Sequence, residues 1–179
     1  MKNKLNVMIV EEQDMPRQLF ESIVASSPEL NLAITIDNAE IADICCVRHE
    51  IDLVLMDVVT KNGASGLLAA EKIKKKNNEV KIIVVTSMPE CSYVERTEKI
   101  GVEVFWYKDF SQEPIMTVIK CVLSGEKVYP DTKQTITLGL ASSTEFTARE
   151  LEVLREITGG YTNGEIAEKL GISPNVVRK

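Results

Sequence analysis

Apolar residues in this chain gather into short unbroken runs that stop at polar side chains. Val7-Met8-Ile9-Val10 stops at Glu11-Glu12, and Ile51-Asp52-Leu53-Val54-Leu55-Met56 stops at Asp57. Lys81-Ile82-Ile83-Val84-Val85 stops at Thr86, and Val102-Glu103-Val104-Phe105-Trp106-Tyr107 stops at Lys108. Runs of this length with polar flanks predict strands buried on both faces, as in a parallel sheet. A further strand-like run begins near Leu32. Between the runs the apolar spacing is helical. Residues 14–25 carry Leu19, Phe20, Ile23 and Val24 on one face. Residues 66–76 carry Leu67, Leu68, Ala70 and Ile73, then a solvated basic end, Lys74-Lys75-Lys76. Cations suit a helix C-terminus, which explains those lysines. Residues 114–123 carry Ile115, Val118, Ile119 and Val122. Five strands alternating with helices predict an α/β unit over residues 1–127, a parallel sheet with right-handed crossovers.

From residue 128 to 143 the pattern breaks. Pro130, Asp131, Gly139 and Ser142-Ser143 read as a linker, with Ile136 and Leu138 able to pack locally. Residues 144–179 change character. Thr147-Ala148-Arg149-Glu150 and Thr162-Asn163-Gly164-Glu165 are capping boxes, each opening a helix. Gly171 supplies a turn, and Ser173-Pro174 starts a third helix, with Ser as cap and Pro at the first helical position. Two short helices joined by a Gly-containing turn predict a helix-turn-helix, whose second helix would enter a DNA major groove.

In an open α/β sheet, ligands bind beyond the carboxyl ends of the strands. Glu11, Glu12 and Asp57, with the Thr86 hydroxyl and the Lys108 ammonium, are expected to converge on that edge. Three carboxylates beside a hydroxyl and a lysine suit a divalent cation with a phosphoryl group next to it.

Composition narrows the setting. The chain has 179 residues, 44% apolar, with a net charge of −6. That is enough apolar material for a packed core. No stretch approaches the roughly 20 apolar residues that span a bilayer. The N-terminus lacks the pattern of a secretion signal, so a cytoplasmic protein without membrane contact is expected. Cys45, Cys46, Cys91 and Cys121 show no metal spacing and read as reduced small residues. His49, the single histidine, is read as a surface residue in a helix-to-strand connection.

These residues resemble the response regulators of bacterial two-component signalling, of the NarL/FixJ type. The marks are Val10-Glu11-Glu12, Leu55-Met56-Asp57, Val85-Thr86-Ser87 and Gly101-Val102-Glu103-Val104-Phe105-Trp106-Tyr107-Lys108-Asp109. The tail is similar to a LuxR-type DNA-binding module in Phe146-Thr147-Ala148-Arg149-Glu150-Leu151-Glu152-Val153-Leu154 and in the run from Asn163-Gly164-Glu165-Ile166-Ala167 to Gly171-Ile172-Ser173-Pro174. The resemblance implies a flavodoxin-like receiver with strand order 2-1-3-4-5. It implies a signalling protein rather than an enzyme, whose Asp57 attacks a phosphohistidine on a sensor histidine kinase. Glu12 would hold Mg²⁺ directly and Glu11 through water, with Asp57 and the Val59 carbonyl as further ligands. Thr86 and Lys108 would hold the phosphoryl oxygens, and Phe105 would turn inward as Thr86 moves. Ser173, Asn175, Val176, Arg178 and Lys179 would face DNA.

The chain also departs from that family. Both early acids are Glu. The loop Val58-Val59-Thr60-Lys61-Asn62-Gly63-Ala64-Ser65-Gly66 is one residue longer than usual, and Lys61 stands where proline is common. The chain stops at Arg178-Lys179, inside the third helix of the module, and residues 131–179 carry six Lys and Arg against seven Asp and Glu. Phosphate contacts supply most DNA affinity, so weak or no DNA binding is expected of this chain, unlike a complete module. The oligomeric state stays open, a homodimer included. Two alternatives stand beside this reading. One is a phosphorylation-independent receiver acting as a protein-interaction module. The other is a haloacid dehalogenase-type phosphatase, but Val59 stands where its general acid belongs. A dinucleotide enzyme would need a Gly-rich turn where Glu11-Glu12-Gln13 stands.

Overall fold

The computed structural model describes residues 4–87, 91–108, 114–129, 137–138, 141–142, 147–158 and 162–177. The chain divides into two compact units, Met1–Thr132 and Lys133–Lys179.

In the first unit, β1 (Leu5–Val10), β2 (Leu30–Ile36), β3 (Leu53–Asp57), β4 (Lys81–Thr86) and β5 (Val104–Tyr107) form one sheet. Its order is β2-β1-β3-β4-β5, and every pairing is parallel. The helices are α1 (Asp14–Ser26), α2 (Ala42–Arg48), α3 (Gly66–Lys76), α4 (Cys91–Ile100) and α5 (Ile115–Leu123). Alternate strand residues serve opposite faces. Met8, Val10, Val54, Met56, Ile82 and Val84 pack with α2, α3 and α4, while Val7, Ile9, Leu53, Leu55, Ile83 and Val85 pack with α1 and α5. Both faces are covered, which is why the strands read as unbroken apolar runs.

Three sequence expectations are corrected. Lys74 is not solvated: its side chain is 5% exposed and pairs with Glu103 at 2.7 Å. The pair is satisfied, since Lys74 also donates to the Asn78 carbonyl and Glu103 accepts the Ile82 N–H. Lys75 and Lys76 do lie outside, paired with Glu71 and Asp43. His49 is half-buried rather than a surface residue, because it caps the end of α2 over Asn6, which donates to its carbonyl. Val128, read as the start of a linker, is bridged to the sheet, and Tyr129 packs against the core beside it. Val128 bridges Val104, accepts the Phe105 N–H and donates to the Glu103 carbonyl. One bridging residue has no period to show in a sequence.

Cys46 is buried, and burial pushes its thiol up to about 12, so it is an inert core residue.

In the second unit, Thr137–Leu138 pairs with Ala141–Ser142, and α6 (Ala148–Thr158), α7 (Asn163–Leu170) and α8 (Pro174–Val177) follow. Both capping boxes form: Glu150 accepts the Thr147 N–H, and Thr162 and Glu165 cap each other reciprocally. Gly171 ends α7 in the left-handed region, at φ 62°, where glycine is unstrained. Ile166, Ala167 and Val177 form the buried cluster of this unit.

Candidate functional site

Parallel pairing puts the carboxyl ends of β1, β3, β4 and β5 side by side. Val10 is opposite Met56, Asp57 opposite Val85, and Thr86 opposite Tyr107. Glu11 and Lys108 follow β1 and β5 by one residue, so both reach Asp57. Lys108 Nζ donates to Glu11 Oε2 at 2.5 Å and to Asp57 Oδ2 at 2.8 Å. The second oxygen of each acid is held by backbone: Val58 N–H donates to Asp57 Oδ1 at 2.7 Å, and Gln13 N–H to Glu11 Oε1 at 2.9 Å. All three side chains are below 10% exposed.

Two buried carboxylates against one ammonium leave surplus negative charge. Burial pushes the Asp57 carboxyl up to about 6; Lys108 and the Val58 N–H pull it back, and Glu11 pushes it further up. Desolvation dominates because the acid has lost most of its water.

Thr86 is buried, and its carbonyl accepts the Lys108 N–H at 2.9 Å. Phe105 is 2% exposed and packs edge-to-face on Tyr107, with ring centroids 5.0 Å apart. The aromatic expected to act as the switch is thus buried. Val59 lies opposite Ser65 in a short antiparallel pair. Glu12 is exposed. Consecutive side chains at a strand end point to opposite sides, so Glu11 turning in sends Glu12 out. Of the three acids expected to converge, two do. Among the described residues no three His, Cys, Asp or Glu side chains stand together as a metal cluster.

Magnesium nevertheless suits the donors present. It takes one or two carboxylates and keeps its waters. The pocket offers two hard carboxylates and only one ammonium to balance them. Glu11 and Asp57 would hold the ion.

Sequence reasoning missed three residues here. Gly66 opens α3 directly against the Asp57 carbonyl: a Cβ placed on it would lie 1.8 Å from that oxygen. Tyr93 on α4 is buried near enough to Asp57 to feel its charge, although burial is the main reason its phenol is raised. Thr60 is buried in the loop after Asp57. A glycine nine residues beyond an acid announces nothing by spacing; only the return of the loop brings it there.

In the second unit Ser173 is exposed, Val176 is 52% exposed, and Asn175 lies within α8. Arg178 and Lys179 lie outside the described residues.

Comparison with known proteins agrees with this layout. Residues 7–120 match the response regulator receiver domain, and residues 144–179 match the bacterial regulatory proteins of the luxR family. The Fimbriae Z protein of Escherichia coli K12 is 28% identical over 178 residues, covering 96% of this chain and 84% of its own length. The oxygen regulatory protein NreC of Staphylococcus aureus is 29% identical over 187 residues, covering 97% and 86%. The solved RcsB response regulator of Salmonella typhimurium superposes with a TM-score of 0.66 at 18% identity, over 98% of this chain and 88% of its own. A receiver match over most of the chain, on a sheet of receiver order, decides the matter: the chain belongs to the response regulators, with a receiver domain followed by a LuxR-type regulatory domain.

Proposed function

We propose that this response regulator is switched by phosphorylation of Asp57 and that its LuxR-type segment, residues 144–179, carries the output to DNA. The observation behind this is the placement of Lys108 between Asp57 and Glu11 at the strand edge. The donor would be a phosphohistidine of a sensor kinase. A bond forms between an Asp57 carboxylate oxygen and phosphorus as the phosphorus–nitrogen bond of the donor breaks. Lys108 moves its hydrogen bond from Asp57 to the incoming phosphoryl oxygens, and the Thr86 hydroxyl takes another of them. Val58 N–H keeps the carboxylate oriented. Glu11, Asp57 and the Val59 carbonyl would hold Mg²⁺, which would supply charge neutralisation, and Glu12, exposed beside them, would add negative charge nearby. No helix among the described residues is long and apolar enough to cross a membrane.

With Mg²⁺ and a small phosphoryl donor the chain should gain one phosphoryl group, seen as a single mass addition, and Asp57→Asn should gain none. Equal labelling of Asp57→Asn would remove the assignment.

A second reading has one observation behind it. Glu12, one of the three acids expected at the metal site, is exposed, which suits a receiver that works unmodified by binding a protein partner. In that case beryllofluoride leaves the fluorescence of Trp106, the only tryptophan, unchanged.

DNA contact would come from Ser173, Asn175, Val176, Arg178 and Lys179. The near balance of acids and bases in residues 131–179 supports weak affinity at physiological salt, because counterion release scales with phosphates neutralised.

A further inference from the structure

The loop after Asp57 is the longer, unusual one, and the structure shows what holds it. Val59–Thr60 pairs with Ala64–Ser65 around a turn in which Asn62 and Gly63 take φ of 61° and 72°. Thr60 is 1% exposed, and its hydroxyl is bonded both ways. It accepts the Ala39 N–H at 2.9 Å and donates to the Ala64 carbonyl at 3.1 Å. Beside it, Lys61 N–H donates to the Asp37 carbonyl at 3.0 Å, and Lys61 Nζ pairs with Asp37 Oδ2 at 2.6 Å. The far end of the loop closes on the acceptor, where Gly66 N–H donates to the Val58 carbonyl at 2.8 Å.

A valine would fill the same space. A buried hydroxyl that uses its donor and an acceptor lone pair at once does more, because it has one geometry in which both partners are satisfied. The two partners belong to different segments. Ala39 opens the turn that follows β2, and Ala64 lies across the hairpin. A longer loop loses more entropy on ordering, so such a fastening matters more here than in a short one.

We propose that Thr60 is a positioning residue for phosphoryl acceptance. Its hydroxyl latches the loop between Asp57 and Gly66 to the β2–α2 connection, and so keeps the Val58 N–H on Asp57 and the Val59 backbone fixed beside it. Thr60 itself does not touch the phosphoryl group. The inference rests on Asp57 being the phosphoacceptor, as proposed above.

The test compares Thr60→Val, which keeps the shape and removes both hydrogen bonds, with Thr60→Ser, which keeps the hydroxyl. Three readouts are taken on the full chain: the labelling rate at Asp57 with saturating phosphoramidate, Mg²⁺ affinity from Trp106 fluorescence, and the urea midpoint. Thr60→Val should label about tenfold more slowly, as expected for a slightly misplaced nucleophile, and should bind Mg²⁺ several-fold more weakly. Thr60→Ser should match the parent in both. Val24→Ala, a core change on α1, serves as the stability control. At an equal loss of urea midpoint it should label at the parent rate, and equal slowing would reduce Thr60 to a structural role and overturn the proposal. Parent-like labelling and Mg²⁺ binding by Thr60→Val would overturn it too, leaving Asp57 untouched. If the parent takes no phosphoryl group at all, the reading of Asp57 fails and this inference fails with it.

Discussion

Gly66→Ala should slow phosphoryl acceptance on the order of a hundredfold and weaken the receiver by about 2–3 kcal/mol, roughly the upper range for overpacking a filled site. The added methyl would lie 1.8 Å from the Asp57 carbonyl oxygen, 2.9 Å from its carbon and 3.0 Å from Met56 Cγ. The first two are backbone atoms of the acceptor itself. They cannot recede, because β3 is hydrogen-bonded between β1 and β4. Gly66 cannot easily recede either. Its N–H is spent on Val58, and Ser65 caps α3 by accepting the Leu68 N–H. Its requirement is space, not an unusual φ. The strain must emerge as a displaced helix start or a displaced Asp57. A misplacement of about 1 Å can cost on the order of a hundredfold in rate. Urea unfolding and Asp57 labelling check both halves. A variant with parent midpoint and parent labelling would show that the contact yields without consequence.

Lys108→Met should have a comparable effect, with a pH signature. The substitution leaves Glu11 and Asp57 buried without their shared cation. Removing one partner of a buried ion pair costs about 3–5 kcal/mol. The protein can escape that cost by keeping a proton on one of the acids. Such an acid has a folded-state pKa above its unfolded value, so the native state binds more protons and stability rises as pH falls. The parent already has this sign in Asp57, raised to about 6 mainly by burial; losing Lys108 enlarges it. The variant should be far less stable than the parent near about pH 8, and the gap should narrow toward about pH 5. Urea midpoints at the two pH values measure it. A pH-independent gap would mean that the lysine contributes through packing alone.

The sheet edge was legible because strands buried on both faces leave unbroken apolar runs, and each run ended on chemistry. Asp57, Thr86, Lys108 and Glu11 were found by where the runs stop. The choice between Glu11 and Glu12 was not legible, since it depends on which side of the pleat faces Asp57, and adjacent glutamates look alike in a sequence. Lys74 misled for a related reason. Three successive lysines at a helix end suggest solvent, but the helical turn sends the first of them inward to Glu103. Gly66 and Thr60 act through a loop that folds back, and Val128 through a single bridge. None of those has a repeat for a pattern to reveal.

The two borders of the sheet differ in their exposure to other chains. Beyond β5, Val128 already occupies the hydrogen-bonding groups of Glu103 and Phe105. Beyond β2, none of the described residues forms a further strand, and its sequence, Leu-Asn-Leu-Ala-Ile-Thr-Ile, holds neither charge nor proline. An uncharged border strand of high β-propensity is a template for another polypeptide. Self-association of concentrated or partly unfolded protein should therefore begin at β2. Leu32, 36% exposed, is where a lysine would discourage it at little cost to the fold.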